Sequence, residues 1–121
     1  MDARLRDYIL ARDGDACVAR FANSGFWAQR WPMLQGLPEP GLCFGRLTLD
    51  HVKTDLAMSK KAPDDPAHLW CVCTGHHTAT RAGGYQWATN AAVRDAARQY
   101  IARANEMAAE RGWPVWEAPG D

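Results

Sequence analysis

The chain has 121 residues, 47% apolar and 23% charged, the usage of an ordinary folded domain, which excludes a fibrous or disordered protein and predicts one domain with a modest core. Fourteen basic side chains balance fourteen acidic ones, so no whole-chain field steers the molecule onto nucleic acid and any such contact must be local. The amino terminus is charged from Asp2 onward and no apolar run approaches a signal core or a membrane span, which predicts a cytoplasmic protein without a membrane partner.

From Asp2 to Asp13, Leu5, Tyr8 and Ile9 recur at helical spacing, and Gly14 lies just beyond; a short amphipathic helix is expected. Residues 21–42 hold Phe21, Phe26, Trp27, Trp31, Pro32, Pro38 and Pro40 without a sustained period, the pattern of an aromatic-rich insertion loop. Arg46 to Asp50 alternates apolar and polar residues and predicts a half-buried strand, while residues 52–66, with Lys53, Lys60, Lys61, Pro63 and Pro66, read as an exposed loop. A second strand is expected over Leu69 to Cys73. Thr74 suits the N-cap of a helix of about two turns that starts at Gly75 and stops at Gly83-Gly84. Asn90 caps a longer helix, about residues 91–111, in which Val93, Ala96, Ala97, Tyr100, Ile101, Ala104, Met107 and Ala108 form one stripe, ended by Gly112 and Pro114. Arg94, Arg98 and Arg103 fall on its polar side and read as solvated charges. No internal repeat or interdomain linker is present. The class is α+β: a two-stranded hairpin plus helix between amino- and carboxy-terminal helices, within one domain.

Cysteine and histidine placement is the main chemical clue. All four histidines, His51, His68, His76 and His77, fall between positions 51 and 77, beside Cys43, Cys71 and Cys73, with Cys17 further upstream. In a reducing compartment four cysteines argue for metal before disulfides. Cys73 just before a helix and His76 in its first turn can converge on one ion, and Cys17 and Cys43 lie at chain junctions able to approach them, so a Cys3His zinc site is expected. The competing reading is four small buried apolar residues. Cys71, two residues from Cys73 on a strand, cannot easily share the ion and reads as a core thiol. His76 and His77 leave a helix about 100° apart and should serve different sites. His77 then faces Asp50 and His51, where a carboxylate and an imidazole suit a hard divalent ion such as magnesium.

The run Cys43-x6-Asp50-His51, followed by His68-Leu69-x3-Cys73-x2-His76-His77, resembles the HNH endonucleases, especially the small forms encoded by phages and prophages. The resemblance spans residues 2 to about 81 and implies a hairpin and helix clasped around a metal. It implies that His51 is the general base that deprotonates the attacking water, that Asp50 and His77 hold a catalytic magnesium or manganese, and that cleavage leaves 3′-hydroxyl and 5′-phosphate ends. His68 stands where the family's middle asparagine sits, which places it among the catalytic residues with loop bracing, phosphate contact or metal binding as its possible tasks. The chain departs from the pattern in that His68, in the 25 residues between Cys17 and Cys43, and in His76 at the place of a fourth cysteine. Lys53 and Arg81 flank the expected metal and suit phosphate contacts. The function implied is phage DNA processing or packaging, with DNA and terminase or other packaging proteins as partners. The alternative is a non-catalytic zinc-braced module that binds DNA or a packaging protein. Consecutive strand residues face opposite sides, so service of one site by Asp50 and His51 requires the strand to end or bulge at Asp50.

Overall fold

The computed structural model describes residues 1–53, 62–77 and 87–112. Helix α1 spans Ala3–Asp13; the Asp2 carboxylate accepts from the Arg4 amide at its start, and Gly14 closes its end in the left-handed conformation that glycine adopts without a Cβ penalty. Two short 3-10 turns, Val18–Phe21 and Pro32–Leu34, interrupt the following loop. Strand β1 (Leu47–His51) pairs antiparallel with β2 (Leu69–Cys73), and α2 (Thr74–His77) follows directly. A 3-10 turn at Trp87–Thr89 leads into α3 (Ala91–Glu110). The result is the small α+β arrangement read from the pattern. Among the described residues, no helix is long and apolar enough to cross a membrane.

Two expectations need correction. The pairing runs without a bulge from Leu47 opposite Cys73 to His51 opposite Leu69, and the Val52 amide then donates to the His68 carbonyl at 2.7 Å. Val52 and Leu69 are fully buried, so interrupting the ladder at Asp50 would strand backbone donors away from water, and the regular register wins. Thr74 is the first residue of α2 rather than its cap: its hydroxyl and its amide both donate to the Arg46 carbonyl. The expected stop at Gly83-Gly84 lies outside the described residues.

The insertion is aromatic because it builds core. Trp31 and Phe21 are buried and pack against Tyr100 of α3, with ring centroids 4.7 and 6.4 Å away. Trp70 of β2 stacks on Trp87 at 6.1 Å, while Phe26 stays exposed. Strand β2 is buried along its whole length, against α1 on one hand and α2 and α3 on the other. On α3, Asn90 caps through its side chain, which accepts from the amides of Ala92 and Val93, and every residue of the expected stripe is buried except the half-buried Met107.

One buried polar network ties these layers together. Arg12 forms a two-pronged ion pair with Asp13, at 2.9 and 3.1 Å, and also donates to the carbonyls of Pro66 and Leu69. Asp13 accepts from the Tyr100 hydroxyl and from the Cys71 amide. Both side chains of the pair are essentially sealed from solvent, so each charge depends on the other and on these neutral partners. Burial, and the Asp13 charge beside it, push the Tyr100 hydroxyl pKa well above its usual value.

Candidate metal centre

Four segments bring Cys17, Cys43, Cys73 and His76 together, with one ligand atom from each lying within 4.8 Å of all the others. Cys17 follows α1, Cys43 lies in the loop before β1, Cys73 ends β2 and His76 sits in α2. The loop carrying Cys43 is hung on α2: the Phe44 carbonyl accepts from the Gly75 amide at 3.0 Å, and Gly75 is required there because a Cβ would lie 2.6 Å from the Phe44 ring. A cysteine pair separated in sequence thus closes on the Cys73-x-x-His76 turn.

His76 is the pivot of the cluster. Its side chain is fully buried; Nε2 lies 2.7 Å from the Pro40 carbonyl, which can only accept, so Nε2 carries the proton and Nδ1 keeps its lone pair. That lone pair faces all three sulfurs, at 3.1 Å from Cys73, 3.5 Å from Cys17 and 3.7 Å from Cys43. A tetrahedral zinc with its usual bond lengths sets its sulfur and nitrogen ligands roughly 3.5 to 3.8 Å apart, so the donor set fits that ion and the nitrogen–sulfur distances lie close to its spacing. Burial pushes the Cys17 thiol pKa up; backbone hydrogen bonds from Cys73 and Ala19 act the other way, and the neighbouring sulfurs add to the rise. Cys43 is raised likewise, with burial again the largest cause. Three sulfurs so close repel as thiolates, and a divalent cation is the natural counter-charge. Cys71 takes no part: it is buried, its amide is held by Asp13, and burial pushes its thiol up to about 12.

Asp50 and His77 also meet, with Oδ1 and Nε2 3.2 Å apart. The Thr48 hydroxyl donates to the Val72 carbonyl at 2.7 Å, which uses its one proton; it therefore accepts, at 2.9 Å, from Nδ1–H of His77. His77 Nε2 is then the ring nitrogen that faces the Asp50 carboxylate. The other Asp50 oxygen accepts from Trp70 Nε1 at 2.8 Å and from Arg94 at 2.5 Å. Burial alone would raise the Asp50 carboxyl, but His77, the Arg94 charge and Trp70 outweigh it and hold its pKa below the usual value.

The remaining expected site residues lie elsewhere. His51 Nε2 pairs with Asp64 at 2.5 Å, and the regular strand sends its side chain to the face opposite Asp50. His68 Nδ1 pairs with Asp65 at 2.5 Å in the loop before β2. Lys53 contributes its carbonyl to Arg98 Nε. Arg81 lies outside the described residues. Sequence reasoning missed Thr48, Trp70 and Arg94; Arg94 is no solvated charge but a clamp that also donates to the His51 carbonyl. No local signal in the sequence marks Arg94 for this role.

No family model, curated protein or solved structure matches the chain. The donor chemistry and geometry define the class: a protein with a Cys3His cluster able to bind a metal such as zinc.

Proposed function

We propose that the chain is a metal-dependent DNA endonuclease of the HNH type, braced by zinc at Cys17, Cys43, Cys73 and His76 and holding magnesium or manganese at Asp50 and His77. The observation that carries this reading is the tautomer chain at His77: with Nδ1–H spent on Thr48, the Nε2 lone pair and the Asp50 carboxylate converge as a ready pair of ligands for a hard cation. Such an ion would neutralise charge that develops on the phosphate and the leaving oxygen. Asp64 plays the matching part for His51, because a carboxylate on Nε2–H fixes the tautomer and leaves Nδ1 to take a proton from water. Lys53 and Arg81 supply phosphate contacts in this reading, and His68, tied to Asp65, braces the loop that carries Asp64. DNA, with phage packaging proteins such as a terminase, forms the partner set.

A non-catalytic zinc-braced module is favoured instead by one feature: Asp50 is 6% exposed and one of its oxygens is fully engaged by Trp70 and Arg94, while His51 projects from the other strand face. Plasmid cleavage separates the two readings. Purified zinc-loaded protein with magnesium or manganese should consume supercoiled plasmid, and His51→Ala should slow this by about 100-fold or more, the usual scale for a general base, with zinc content unchanged. Equal rates for the variant and the parent would leave the module reading in place.

A further inference from the structure

The four ligands of the cysteine and histidine cluster are unequally protected. Cys17, Cys73 and His76 are 4%, 2% and 0% exposed, whereas Cys43 is exposed and adjoins Leu42, itself 86% exposed. The difference follows from the segments that carry them. Cys73 ends a strand that is buried along its whole length, Cys17 leads into the turn where Val18, Ala19 and Phe21 are buried, and His76 lies against the Pro40 carbonyl. Cys43 sits between the turn Pro32–Leu34 and β1, in a stretch without regular structure, bracketed by Gly41 and Gly45 in the left-handed conformation. The bonds that hold this loop to α2, at the Pro40 and Phe44 carbonyls, fall on either side of the cysteine. Its sulfur is also the furthest of the three from His76 Nδ1, at 3.7 Å against 3.1 and 3.5 Å. The cluster therefore has one reachable sulfur, and it is the most loosely seated.

Oxidation of cysteine follows access and thiolate character, and a metal ligand is held as the thiolate. We propose that Cys43 is an oxidative modification site, through which hydrogen peroxide opens the cluster and releases its metal. The Cys43 thiolate attacks one peroxide oxygen and the O–O bond breaks; the sulfur is oxidised to a sulfenic acid, and the other oxygen leaves as hydroxide, which a proton turns into water. The Cys17 thiolate then attacks the Cys43 sulfur, the S–O bond breaks, and the second hydroxide leaves as water in the same way. Two thiolates, one peroxide and two protons give one disulfide and two waters. Cys17 is the partner because it too lies outside the helices and strands, whereas Cys73 is fixed in the ladder opposite Leu47. The ligand atoms start within 4.8 Å of one another and a disulfide spans about 2.05 Å, so a shift of roughly 3 Å or less closes the bridge. Two of the four ligands are then lost, and with them the metal that ties the segments together. The proposal rests on zinc at these four ligands and is independent of the endonuclease reading.

The test uses the zinc-loaded full chain, its metal content measured first, treated with hydrogen peroxide while a chromogenic chelator records zinc release against a peroxide-free control. Mass spectrometry then maps the thiols. One disulfide between Cys17 and Cys43 should form per zinc released, and dithiothreitol with added zinc should restore the loaded protein. Cys43→His, which keeps a ligand at that place and removes the oxidisable sulfur, should release zinc at least tenfold more slowly than the parent. Cys71→Ala, which changes a buried thiol outside the cluster, should match the parent. Purified protein that binds no zinc overturns the proposal together with the zinc reading. Loaded protein that keeps its zinc under peroxide, a bridge of any other pairing, or Cys43→His that releases zinc at the parental rate overturns the proposal alone. If Cys43→His does not load with zinc, the disulfide map of the parent decides by itself.

Discussion

His76 and His77 are neighbours in one short helix, yet they use opposite ring nitrogens. His76 is fully buried, spends Nε2–H on the Pro40 carbonyl and turns Nδ1 toward three thiols. His77 is a quarter exposed, spends Nδ1–H on Thr48 and turns Nε2 toward one carboxylate. Three sulfurs and an imidazole, buried except at Cys43, suit zinc; in the endonuclease reading, the buried Asp50 carboxylate and the quarter-exposed His77 would suit a hard ion. The acceptor that fixes each tautomer thus decides which ring nitrogen each histidine turns to its neighbours.

The sharpest way to break this contrast is to take the metal away. Chelation, or Cys73→Ser, should abolish zinc binding and with it the cooperative thermal transition, because the four ligands tie together segments that no disulfide links, and structural zinc contributes apparent energies of about 10–16 kcal/mol in small domains. Zinc analysis and circular dichroism read this directly, and a well-folded zinc-free protein would show the cluster to be a set of core thiols.

Asp13→Ala asks whether a region without metal ligands is equally indispensable. It should cost about 3–5 kcal/mol in denaturant unfolding, since Arg12 would be left as a buried charge without its partner. Zinc content should be unaffected. A loss below 1 kcal/mol would show that water reaches Arg12.

A pH series sharpens the same region. The folded pKa of Tyr100 lies above its unfolded value, first through burial and then through Asp13. Its contribution is therefore complete below the ordinary tyrosine pKa of about 10 and is lost as pH rises from there toward the folded value, with a slope of up to about 1.4 kcal/mol per unit. Tyr100→Phe should flatten that alkaline limb. An identical slope in the variant would place the effect on other groups.

The smallest effect is expected at Thr48→Val, which removes the acceptor for His77 Nδ1–H. It should cost about 1 kcal/mol. In the endonuclease reading, cleavage should fall several-fold and recover in part at higher magnesium, because the ligand tautomer is loosened rather than deleted. Unchanged cleavage would mean that His77 is oriented by the backbone alone.

Local chemistry made much of this protein legible before any coordinates. The cap at Asn90 and the apolar stripe of α3 are consequences of hydrogen-bonding side chains and a 3.6-residue period, and β2 is a run of five residues between polar breaks, so pattern alone places them. Cys73-x-x-His76 announced a ligand pair, and the 100° step of a helix separated His77 from it. What pattern could not decide was which distant groups those residues meet. Chain-junction positions already pointed Cys17 and Cys43 toward Cys73 and His76, and the packed chain brings the four together, but nothing local to Arg94 says that it reaches across to Asp50. The aromatic insertion has no period because its rings pack inward from turns rather than from a regular element. The strand runs straight through Asp50 because Val52 and His68 continue the ladder in a buried place. Periodicity reports which face of an element is apolar; only the packed chain, in which buried donors and charges must find partners from other segments, fixes where the polar side chains end.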